Sequence, residues 1–137
     1  MHTTRALSYA VLRITIGCVF LFFGIGKFVA GVATTAQGFQ HAFAKTWLPG
    51  FSVYAFAICL PFLEVTLGAL LILGLFTAYV AIGTALLITM LTIGVVVEGQ
   101  PQSVILNLAC GVIVYLLQWR IEDNQFSLDR LRRGHRV

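Results

Sequence analysis

Four charged residues interrupt stretches of sequence that are otherwise apolar: Arg13, Lys27, Glu64 and Glu98. A charge near the middle of a bilayer costs ~2.5–3.5 kcal/mol even on lenient insertion scales, so each needs a partner, a water-filled cavity or a task. Arg13, Gly17, Phe20, Gly24 and Lys27 alternate at spacings of four and three, which places all five on one stripe of a helix. Glu64 has Pro61 one turn before it and Gly68 one turn after it. A glycine there lets a neighbouring helix or a flat ligand approach the carboxylate. Pro61 leaves a backbone carbonyl without its amide partner nearby.

Helical rise compares their depths. At ~1.5 Å per residue Arg13 lies roughly 10 Å from the start of the first helix, and Glu64, on a helix running back, lies roughly 16 Å from the same side. An arginine spans that difference, so an Arg13–Glu64 ion pair is expected. Tyr115 should stand near the same level and donate a hydrogen bond to Glu64 or to a ligand. Lys27, Glu98 and Asn107 fall within roughly 10 Å of the opposite surface and are expected to form a second polar layer. Two chemistries stay open: an ion pair that only fixes helix register, and an intramembrane site that moves protons or holds a polar ligand.

The elements that carry these residues follow from composition. Of 137 residues, 59% are hydrophobic and 10% charged, and the mean hydropathy is +0.94. Soluble domains carry about 25% charged residues, so a water-soluble fold is excluded. At roughly 20 residues per crossing the chain holds at most five or six spans. The expectation is one all-α integral membrane domain, a four-helix bundle with spans at about 6–30, 51–75, 77–97 and 102–119 and a basic tail over 120–137. Gly74 breaks the long second run into a tight hairpin, and Glu98-Gly99-Gln100-Pro101 stops the third span. The first run exceeds the apolar core of a signal peptide and reads as a retained helix.

Between the first two spans, Phe39, Phe43 and Trp47 recur every four residues, with Gln37, His41 and Lys45 on another face. That pattern predicts a short interfacial helix, either a plug for the bundle's end or a lid over an entrance from lipid. The segment 127–136 also reads as helical, with Leu128 and Leu131 inward and its arginines against anionic lipid. Arg5 and the arginines after the fourth span outnumber the basic residues of the loops on the other side. Both termini are therefore expected in the cytoplasm, at a bacterial inner membrane. The positive charge is an orientation signal, and no nucleic-acid partner is expected.

Other chemistries lack their residues. Cys18, Cys59 and Cys110 sit in separate spans without a Cys-x-x-Cys pair, which argues against thiol–disulfide exchange. The histidines, at 2, 41 and 135, lie outside mid-membrane, so no haem is expected, and no metal site is visible.

The series Arg13-x3-Gly17-x2-Phe20-x3-Gly24-x2-Lys27, then Thr46-Trp47-Leu48-Pro49, then Leu60-Pro61-x2-Glu64-x3-Gly68-x5-Gly74, resembles the DoxX family of small four-helix bacterial membrane proteins. Ser127-Leu128-Asp129 adds to the likeness, which covers nearly the whole chain. Members are linked to the membrane subunit of a thiosulfate:quinone oxidoreductase and to membrane oxidoreductase assemblies that handle redox stress. The resemblance implies a quinone-facing bundle in which Arg13, Lys27 and Glu64 match the family's charged pattern. On that reading Glu64 relays protons, Arg13 steadies a quinone oxygen, Tyr115 donates a hydrogen bond, and Phe20 and Gly24 shape the slot, with Lys27 and Asn107 also at the ligand. Electrons come from a partner subunit or from a reacting substrate. The alternative is a non-catalytic anchor or assembly subunit of a larger complex in which the stripe sets register alone; on either reading the partner expected besides lipid is another subunit or a second copy of the chain in a homo-oligomer. A small-solute or proton path is a third reading, with few polar residues to join its two layers.

Overall fold

The computed structural model describes residues 2–129, and of His2 the backbone alone. They form five α-helices: α1 (His2–Ala30), α2 (Val32–Ala42), α3 (Gly50–Leu73), α4 (Thr77–Glu98) and α5 (Pro101–Trp119), followed by a 3-10 turn at Ile121–Asp123. α1, α3, α4 and α5 are each long and apolar enough to cross a membrane. Among the described residues there is no strand. Their outward faces carry residues such as Phe22, Tyr79, Leu86 and Ile105, which are exposed and suited to acyl chains.

The turns form where glycine permits them. Gly74, at φ 67°, ends α3 with its own amide and that of Leu75 both donating to the Leu70 carbonyl, and Gly99, at φ 78°, ends α4 in the same way through Gln100 and Val95. Pro101 then opens α5, where its missing amide is no loss. Pro61 lies inside a continuous α3 and is buried. The interfacial helix is shorter than expected. α2 ends at Ala42, the Thr46 hydroxyl folds back to donate to the Phe43 carbonyl at 2.7 Å, and Trp47 lies beyond the helix and exposed.

α1 packs most extensively on α3, and α4 on α5, while the two pairs touch each other less. The α1–α3 contact is a seam of small residues. A Cβ on Gly68 would stand 2.6 Å from the Leu21 amide nitrogen and 2.7 Å from the Gly17 carbonyl oxygen, and one on Gly24 would stand 2.9 Å from the Val65 amide nitrogen. Backbones this close gain dispersion contacts that lipid does not replace. Tyr9, Ile16, Leu71, Val80, Val114 and Leu117 fill the interior toward the end that carries the termini, and the Tyr9 hydroxyl donates to the Leu117 carbonyl at 3.2 Å.

Candidate functional site

The seam fixes which polar residues meet. Gly24 lies against Glu64 and Val65, and Gly17 against Gly68, so the α3 carboxylate stands level with the Gly24 turn of α1. Lys27 is less than one turn beyond Gly24. Its ammonium reaches back to Glu64, donating to Oε1 at 2.9 Å and to Oε2 at 2.7 Å. The Lys27 and Glu64 side chains are 17% and 5% exposed, so the pair is held inside the protein. Two of the three ammonium donors are spent on Glu64, leaving one to point elsewhere. The Phe23 ring lies 5.6 Å from the Lys27 nitrogen and covers it on the lipid side with a weak cation–π contact.

The expected Arg13–Glu64 pair does not form. Arg13 is about three turns from Gly24, roughly 16 Å of helix, which sets it beside Gly74 at the far end of α3. There its guanidinium donates to Asn124 Oδ1 at 2.5 Å and to the Phe126 carbonyl at 2.8 Å. The side chain is 3% exposed, and its Nε has no partner among the described residues. The depth comparison failed because it set the ends of α1 and α3 flush, whereas the glycine seam slides α1 toward the terminal end.

Arg13 instead belongs to a clasp built by the segment after α5. Asn124 Nδ2 donates to the Thr77 hydroxyl at 2.9 Å. The Asp129 carboxylate accepts from the Phe76 and Thr77 amides at 2.7 and 2.8 Å and from the Thr77 hydroxyl at 3.0 Å, while the Asp129 amide donates to the Gly74 carbonyl at 3.1 Å. The carboxylate thus caps the start of α4, where Phe76 holds a left-handed φ of 50°. Residues 121–129 are docked on the bundle, and the arginines expected against anionic lipid follow them in sequence. The expected helical positions from Arg130 onward, Leu131 among them, lie outside the described residues.

A cavity of about 280 Å3 opens between the two helix pairs. Its walls are apolar, with Phe20 and Phe23 from α1, Phe39 from α2, Leu60 from α3 and Ile88 and Leu91 from α4. Its polar groups are Lys27, Glu64, Glu98, Ser103 and Asn107. The two polar layers inferred from depth are therefore not separate: Glu64 joins Lys27, Glu98 and Asn107 in one chamber. Phe20 and Asn107 line it as well. Gly24 does not, because its open face is filled by α3, so it sets helix spacing and shapes no slot. Tyr115 is also elsewhere. It is 61% exposed, with its ring 6.3 Å from that of Trp119, and it makes no hydrogen bond to Glu64.

Sequence reasoning missed Ser103, Asn124, Thr77 and Asp129. Ser103 follows the α4–α5 turn and reads as an ordinary loop-proximal serine. The other three gain their meaning only once the tail folds back, and the Ser127-Leu128-Asp129 string was the one signal of it.

Four apolar crossings around a largely apolar chamber with a few buried polar groups define a polytopic helical membrane protein. The DoxX family model matches residues 8–99, which include both halves of the glycine seam and the Lys27–Glu64 pair. The chain belongs to the DoxX family. Comparison with curated proteins and with solved structures gave no match.

Proposed function

We propose that this protein binds a quinone in the chamber between its helix pairs and serves a membrane oxidoreductase system as the quinone-facing component. The observation that carries the reading is the Lys27–Glu64 pair in the wall of an otherwise apolar cavity. Few convergent polar groups in an apolar pocket are the usual design for holding such a ligand. The residues fit the group. A cavity of about 150 Å3 holds a benzene ring, so about 280 Å3 admits a substituted one. The remaining Lys27 donor and the Asn107 amide suit ring oxygens, and Phe20 and Leu60 supply flat apolar walls.

When bound, a quinone supplies the electron chemistry that no side chain here offers. The protein's own part is protonic and steric. Glu64 holds or gives up a proton at its carboxylate, Lys27 keeps that carboxylate in place and donates to a ring oxygen, and Phe23 closes the lipid side. Arg13 and Tyr115, placed elsewhere by the fold, are not part of this proposal. A partner subunit, the electron source, is part of it, as is a bacterial inner membrane with both termini in the cytoplasm, supported by the arginines at the terminal end.

Binding of a short-chain benzoquinone to the purified protein tests the reading. Saturable binding that weakens at least tenfold in Glu64→Gln, with helix content and melting temperature retained, supports it. Saturable binding unaffected by Glu64→Gln and Lys27→Met would move the ligand elsewhere. Absence of binding by the folded wild type would leave the anchor reading.

A further inference from the structure

The chamber is not centred in the bundle. Glu98 is the last residue of α4, Ser103 lies in the first turn of α5, and Lys27 is in the last turn of α1, so its polar groups gather toward the end opposite the termini. Toward the terminal end the interior is mostly apolar, through Ile16, Leu71, Val114 and Leu117, with the Thr84 and Tyr9 hydroxyls each bonded to a backbone carbonyl, and beyond it the clasp of Arg13, Asn124 and Asp129 closes the α3–α4 turn. The polar groups that could lead water to Glu64 therefore lie on the side opposite the termini.

We infer that the chamber is an aqueous vestibule opening on that side, and that Glu98 at its mouth exchanges protons between bulk water and Glu64. Glu98 is half-buried, and its one hydrogen bond among the described residues is a 3.4 Å contact from the Gln100 side-chain amide. Lys27 is bonded to Glu64 through both carboxylate oxygens, so the one cation on the chamber wall is engaged by Glu64, and Glu98 has no ion-pair partner among the described residues. The other titratable groups on the chamber wall are Lys27 on α1, Glu64 on α3 and Cys110 on α5, while α2 contributes Phe39. The step is a plain proton transfer: protonated Glu98 becomes a carboxylate as the Glu64 carboxylate becomes an acid, or the reverse, and Glu98 re-equilibrates with water. The onward transfer to a ring oxygen rests on the quinone reading; the sidedness and the role of Glu98 at the mouth do not.

Cys110 is a native reporter inside the vestibule. In sealed vesicles of known orientation, carrying protein with Cys18→Ala and Cys59→Ala, membrane-impermeant methanethiosulfonates are added to one side at a time. Modification of Cys110 is expected only from the side opposite the termini. A cationic reagent should react about threefold faster than an anionic one, the size expected when one unit charge roughly 13 Å away in water attracts the first and repels the second. That preference should fall toward unity in Glu98→Gln, with melting temperature unchanged. Labelling from the terminal side, no labelling from either side, or a preference insensitive to Glu98→Gln would overturn the inference. Quinone content, measured on the same preparations, is independent: protein without quinone that labels as expected loses the ligand and keeps the vestibule, and protein with quinone that labels otherwise loses this inference alone.

Discussion

Lys27 donates to both carboxylate oxygens of Glu64, at 2.9 and 2.7 Å, and so ties α1 to α3 at the wall of the chamber. Removing one partner leaves the other charge buried and unmatched, which costs about 3–5 kcal/mol, whereas replacing both by apolar groups is close to neutral. Lys27→Met alone should lower the melting temperature in detergent clearly. Lys27→Met with Glu64→Leu should recover most of the loss, yet bind no quinone. A double variant that is as unstable as the single one, and no less able to bind, would show that the pair has neither role.

The glycine seam gives a steric prediction. In Gly68→Ala the new methyl would meet backbone atoms of Leu21 and Gly17 at 2.6–2.7 Å, and backbone does not yield as a flexible side chain does. Overpacking of this kind costs about 1–3 kcal/mol, and here it should also shift the register that brings Lys27 to Glu64. Gly26→Ala is the control, since nothing lies within 4 Å of its added methyl. Thermal unfolding should separate the two variants, with Gly26→Ala equal to or above the wild type.

At the terminal end, Asp129→Ala removes three bonds to the start of α4. Losses of helix caps run to about 0.5–2 kcal/mol, and the Phe76 and Thr77 amides should exchange with deuterium faster in this variant. Asn124→Ala should cost more, because it strips an acceptor from the buried Arg13 guanidinium. Unchanged protection of those two amides in Asp129→Ala would mean that the clasp does not hold α4.

Much of this architecture was legible in the sequence. Hydropathy marked four crossings within a few residues of their observed ends, because apolar length is what a bilayer demands. Gly74 and Gly99 marked the turns because only glycine takes a left-handed φ at little cost. The residues from Arg13 to Lys27 do share one stripe, and it faces into the bundle. Its partners were not legible, since a helical periodicity fixes which face is buried and leaves the sliding register free. That register came from the fit of Gly17, Gly68 and Gly24, a property of shape across two helices. Arg13 found its acceptors in Asn124 and Phe126, residues whose local sequence suggested a solvated tail. Likewise Phe39 on α2 and Phe43 at its C-cap kept the expected inward side, but a side-chain bond from Thr46 turned the chain before Trp47 could extend it.

The most direct test of the chamber is the quinone content of protein purified in mild detergent, read by mass spectrometry of its extracted lipids. Stoichiometric quinone is expected in the wild type and in Arg13→Met, because Arg13 is bound into the clasp away from the chamber. None is expected in Leu60→Trp, whose indole would occupy the ring's space, or in Lys27→Met. Folded wild-type protein free of quinone, or loss of quinone on changing Arg13 but not Lys27, would contradict the account.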